Sequence, residues 1–64
     1  MPLIHVDMSE GKATEEQEAR LISKLTDVVS EVLGEEQRAI TIVTLIETPP
    51  GNRGVGGKVY EPQI

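Results

Sequence analysis

Ile40-Thr41-Ile42-Val43-Thr44-Leu45-Ile46 is a run of seven residues, rich in β-branched side chains, that carries apolar groups on both faces of an extended chain. Successive side chains of a strand point to opposite sides, so this segment reads as a strand that buries both. Such strands belong inside a sheet. Working back along the chain, Leu3-Ile4-His5-Val6-Asp7-Met8 alternates, with Ile4, Val6 and Met8 on one face and Leu3, His5 and Asp7 on the other. That pattern predicts a half-buried strand. Between the two strands, Thr14-Glu15-Glu16-Gln17 matches a capping box, with Thr14 at the N-cap. Glu15 and Glu16 suit the positive end of a helix dipole. Leu21, Ile22, Leu25, Val28, Val29, Val32 and Leu33 then recur at gaps that place them in one apolar stripe. Gly34 is the expected stop.

Strand, long helix and strand make a βαβ unit, so the two strands are expected to be parallel with a right-handed crossover. Pro49-Pro50-Gly51-Asn52 ends the second strand. Gly54-Val55-Gly56-Gly57-Lys58-Val59-Tyr60 reads as a short hairpin or strand able to reach a neighbouring chain. The expected class is α/β (α+β): two parallel strands, one long helix and a short C-terminal hairpin. No repeat or linker interrupts residues 1–64, which read as a single domain.

Size and composition narrow the function. A chain of 64 residues hides only about 60% of the surface its unfolded form exposes. Scaffolds this small usually add disulfides, a metal or an oligomer interface. There is no cysteine, and one histidine, His5, cannot hold a metal alone. No metal and no cofactor are therefore expected. Oligomerisation is the remaining device, and the open edges of a two-stranded sheet invite it. A net charge of −5 argues against nucleic acid, whose binding depends on neutralised phosphates. The single aromatic residue, Tyr60, provides no stacking platform and is expected to pack rather than act as an acid. No apolar run nears the ~20 residues that span a bilayer, and no signal-peptide pattern precedes the first strand. With no cysteine, a cytoplasmic location is expected.

The chain opens Met1-Pro2-Leu3. A small residue after an initiator Met allows the Met to be trimmed. Pro2 would then carry a free secondary amine, a base or nucleophile that proline lacks anywhere else in a chain. Few cations are available to accompany it, so Lys12, Arg38, Arg53 and Lys58 carry weight. Each has a plainer reading. Lys12 lies in a turn, where lysine is commonly a solvated charge, and Arg38 follows Glu35 and Glu36, its natural surface partners. The glycine-rich tail lacks the Lys-Ser/Thr of a phosphate loop.

Pro2, the alternating strand, Glu10-Gly11-Lys12, the Thr14-Glu15-Glu16-Gln17 helix start, the second strand ending in Glu47, and Gly51-Asn52-Arg53-Gly54-Val55-Gly56-Gly57 occur in one order. Together they resemble the 4-oxalocrotonate tautomerase family over nearly the whole chain. The resemblance implies an isomerase that moves a proton in enol or dienol forms of 2-oxo acids. It implies Pro2 as general base, a homohexamer built as a trimer of dimers, and a place in aromatic compound catabolism. Lys12 stands where the family commonly has an arginine that holds a substrate carboxylate. A second family arginine, in the second strand, falls at Thr41, Ile42 or Val43 and is missing. Arg38, just before that strand, is the candidate substitute. Arg53 falls at or near the position of an aromatic pocket wall. The expected site is Pro2 with Lys12, Arg38 and Arg53 as substrate-binding residues.

Two other functions fit the same residues. Similar proteins include hydratases and hydrolytic dehalogenases of 3-haloacrylate-like acids. That chemistry needs a water-activating acid, for which only Glu47 or Asp7 offers itself. A non-catalytic hexameric interaction protein would keep Met1 and leave the Pro2 nitrogen an amide.

Overall fold

The computed structural model describes residues 1–59, so Tyr60 and its expected packing role lie outside the described residues. The chain runs through β1 (Leu3–Ser9), α1 (Glu15–Leu33), a 3-10 helix (Glu35–Ile40) and β2 (Ile42–Thr48). A hairpin of β3 (Gly54–Val55) and β4 (Lys58–Val59) follows. β1 and β2 are parallel, in register from Leu3 opposite Ile42 to Ser9 opposite Thr48. β3 and β4 are antiparallel, with Gly54 opposite Val59. This is the expected βαβ unit with its hairpin.

The second strand starts two residues later than the sequence pattern predicts. Ile40 closes the 3-10 helix, and Thr41 is still tied to it. The Thr41 hydroxyl donates to the Gln37 carbonyl at 2.7 Å, and the Thr41 N–H points at the Arg38 carbonyl at 3.4 Å. Local hydrogen bonds of this kind compete with strand pairing and here override the β-branched composition.

α1 begins as its sequence dictates. Thr14 Oγ1 accepts from the Gln17 N–H at 3.1 Å, and Gln17 Oε1 accepts from the Thr14 N–H at 3.0 Å. Two otherwise unpaired donors are satisfied reciprocally. The helix stops at Gly34, whose N–H still reaches the Ser30 carbonyl at 3.1 Å. Gly34 has φ +116°, a backbone conformation that favours glycine. The hairpin turn Gly56-Gly57 has φ +61° and +85° in succession, the pattern of a tight two-residue turn that twists with its strands.

α1 packs on β2 and on the 3-10 helix. On β1 and β2, Ile4, Val6, Met8, Val43 and Leu45 are half-buried, as are Leu21, Leu25 and Val29 on the helix. The opposite face of the sheet stays open: Leu3 is 61% exposed, Ile42 44% and Ile46 40%. Val28, Val32 and Leu33 also remain exposed, because the apolar stripe of α1 is wider than two strands can cover. Among the described residues no apolar side chain is fully buried, and the one buried residue is Ser30. The two-sided burial expected of the second strand is therefore not completed within one chain.

Candidate active site

Parallel pairing gives the sheet two chemically different ends. At the first, the Ile42 N–H donates to the Pro2 carbonyl at 3.0 Å, so Pro2 is drawn onto the start of the sheet and is half-buried. With Met1 attached, its nitrogen is a tertiary amide and has no basic lone pair. At the second end, the Glu10 N–H donates to the Thr48 carbonyl at 2.9 Å. The exposed Lys12 follows β1 here, in a turn whose backbone N–H approaches the Ser9 carbonyl at 3.4 Å.

Arg53 also comes back to this second end. The chain leaves β2, turns with the Asn52 N–H donating to the Pro49 carbonyl at 3.1 Å, and brings Arg53 onto the open face of the sheet. Arg53 Nη2 donates to Asp7 Oδ1 at 2.7 Å. The same carboxylate oxygen accepts from Thr48 Oγ1 at 2.7 Å. These two donors, Thr48 first and Arg53 second, hold the Asp7 carboxyl below its ordinary value. Asp7 and Arg53 are 46 residues apart, and no local signal in the sequence announces their pairing.

Arg38 is engaged elsewhere. Its Nε donates to Glu35 Oε1 at 2.7 Å, its Nη1 to Asp27 Oδ1 at 2.8 Å and its Nη2 to Ser30 Oγ at 2.8 Å. The Ser30 hydroxyl in turn donates to the Asp27 carbonyl at 3.0 Å. The Glu35 and Asp27 carboxylates push the already high guanidinium pKa further up, and the guanidinium in turn holds the Glu35 carboxyl below its ordinary value. The side chain thus fastens the 3-10 helix to the last turns of α1. The Glu35 partner was legible from proximity in the sequence; Asp27 and Ser30 were not.

Distances along β1 decide what one chain can assemble. Pro2 and Asp7 are five residues apart, or about 16 Å at the usual rise of a strand. Arg53 is bound to Asp7, and Lys12 lies beyond the end of β1. A single chain therefore keeps Pro2 apart from Lys12 and Arg53. Arg38 lies before β2, toward the Pro2 end, with its guanidinium turned onto α1. A shallow depression on α1, lined by Gln17, Arg20, Leu21 and Lys24, includes none of these residues.

Comparison with known proteins agrees with the βαβ unit. Residues 2–62 match the family described as Tautomerase enzyme, and the chain belongs to that family. A probable tautomerase of Staphylococcus aureus strain Mu50 is 37% identical over 57 residues, covering 89% of this chain and 90% of the relative. Among solved structures, YwhB, a homologue of 4-oxalocrotonate tautomerase, superposes with a TM-score of 0.79 at 33% identity, over 91% of this chain and 92% of its own. A heterohexamer 4-oxalocrotonate tautomerase from Chloroflexus aurantiacus J-10-fl superposes with a TM-score of 0.76 at 29% identity, over 92% of both chains.

Proposed function

We propose that this protein is a tautomerase of enol or dienol 2-oxo acids, with Pro2 as general base once Met1 is removed. The observation that carries the reading is the placement of Pro2. It is half-buried at the first rung of the sheet, with its carbonyl locked to Ile42, so a freed ring nitrogen would be held in a fixed position. The reaction takes a proton from the enol oxygen and delivers one to carbon. A base suits that task when its pKa lies near ambient pH. Apolar walls and nearby cations both disfavour an ammonium and lower its pKa toward that range.

The cations come from another copy of the chain. Lys12 and Arg53 stand at the far end of the sheet from Pro2 in one protomer, so a complete site needs the Pro2 end of one chain against the Lys12 end of another. The exposed apolar face of Leu3, Ile42 and Ile46 supports such an assembly, which we take to be a homohexamer made as a trimer of dimers. The Chloroflexus relative is a heterohexamer. Lys12 holds a substrate carboxylate and balances the charge of the dienolate that forms, and Arg53, paired with Asp7, binds the substrate through its remaining N–H groups. Arg38 contributes at the Pro2 end chiefly by fastening the 3-10 helix that leads into Ile42, with its remaining N–H groups open to substrate. No cation stands at positions 41 to 43, so monocarboxylates such as an arylenolpyruvate should be better substrates than dicarboxylates. A water-activating role for Asp7, needed for hydration or dehalogenation, competes with the two hydrogen bonds it already accepts. A single domain over residues 1–64 in the cytoplasm completes the reading.

Intact-mass measurement followed by an assay on phenylenolpyruvate tests it. Trimmed protein should interconvert enol and keto forms, and Met1-retaining protein should not. Equal rates for both forms, or no turnover by the trimmed form, would refute the Pro2 mechanism.

A further inference from the structure

Arg53 is not an isolated cation. Its Nη2 is spent on Asp7 Oδ1 at 2.7 Å, and Thr48 Oγ1 fastens that same oxygen at 2.7 Å. The arrangement fixes one edge of the guanidinium to the sheet and leaves the other edge free to receive a ligand oxygen. It also sets the charge that a ligand meets. At neutral pH the Asp7 carboxyl is ionised, since both hydrogen bonds favour the charged form. Guanidinium and carboxylate together sum to zero. A carboxylate that docks on the free edge of Arg53 meets a guanidinium whose charge Asp7 already offsets, so it gains less there than at an unpaired arginine.

Resting on the tautomerase reading above, we infer that Asp7 is a specificity-determining residue: by neutralising and orienting Arg53, it makes this end of the site accept a neutral or polar substrate terminus and disfavour a second carboxylate. Lys12, which has no such partner among the described residues, remains the carboxylate holder. Selectivity for monoanionic enols is then built from a charge present in the chain, in addition to the cation missing from the second strand. The part of Asp7 is to position Arg53 and shape its field, with no proton transferred to or from it.

The test is the ratio of kcat/KM for a dicarboxylate to that for a monocarboxylate, 2-hydroxymuconate against phenylenolpyruvate, in trimmed, assembled protein. Asp7→Asn keeps the size and an acceptor oxygen and removes the charge. It should raise the ratio roughly tenfold, mainly through a lower KM for the dicarboxylate. Glu31→Gln removes a charge from the exposed surface of α1, away from Arg53, and should leave the ratio unmoved. In the unaltered protein the ratio should change little with added salt, because the Arg53–Asp7 pair sums to zero; in Asp7→Asn it should fall, because salt screens the unpaired guanidinium. This salt series keeps the idea testable if Asp7→Asn does not assemble. An unchanged ratio in Asp7→Asn, or a ratio in the unaltered protein that falls steeply with salt, would overturn the role of Asp7 while monocarboxylate turnover still upheld Pro2. Absence of turnover on both enols by every trimmed form would overturn both readings.

Discussion

The proposed mechanism concentrates the chemistry of this chain in the Pro2 nitrogen, and replacing Pro2 separates base from scaffold. Pro2→Ala, trimmed of Met1, keeps an amine at the same position. The amine becomes primary and loses the ring that holds its direction. Turnover of phenylenolpyruvate should fall by about 10²–10⁴, the usual contribution of a positioned general base, while the sedimentation profile stays that of the parent. Asp7 gives a second prediction at this scale. Its pKa is lowered in the folded chain, so the tie to Thr48 and Arg53 is at full strength above the ordinary carboxyl value of 3.8 and is lost as pH falls through the lowered one. A carbon-detected NMR titration should place the Asp7 midpoint below 3.8. In Arg53→Ala the midpoint should move up, because a hydrogen-bond donor and a positive charge beside the carboxylate are both lost.

The elements divide into those whose ends are written locally and those decided by contacts from afar. α1 is of the first kind. Thr14 and Gln17 cap each other, and Gly34 ends the helix with a backbone conformation that other residues resist. Thr14→Ala should cost about 1 kcal/mol of stability, read from urea unfolding of the assembled protein at fixed concentration. Thr14→Ser should restore most of it. The start of β2 is of the second kind. Residues 40 and 41 have strand-like composition, yet Arg38 binds Asp27 and Ser30, and Thr41 binds Gln37, so the chain stays coiled until Ile42. The same contacts decide how Arg38 is held: its position before the strand was legible in the sequence, and its partners Asp27 and Ser30 on α1 were not. The pairing of Arg53 with Asp7 was hidden for the same reason, since its two halves meet only when the tail folds back over the sheet.

At the scale of the whole molecule, the chain is an unfinished core. Leu3, Ile42 and Ile46 line one face of the sheet and Val28, Val32 and Leu33 lie along the helix, all exposed. Burying surface of that kind is the main favourable term available to so small a protein. Equilibrium sedimentation at micromolar concentration should give the mass of six chains. Ile46→Asp places a charge on the open face and should shift the distribution toward smaller species, with loss of turnover even though Ile46 is not in the proposed site. A stable, active monomer would contradict both the assembly and the shared site. The amino-acid sequence by itself determined the βαβ order, the capped helix, the glycine turns and the family, because each depends on short-range periodicity or on residues whose backbone preferences are strong. The tertiary structure alone decided where β2 begins, that Arg38 fastens α1, and that Arg53 is paired with Asp7 at the opposite end of the sheet from Pro2. Those outcomes depend on hydrogen bonds between side chains far apart in the chain, whose partners are chosen only when the folded backbone brings them within reach.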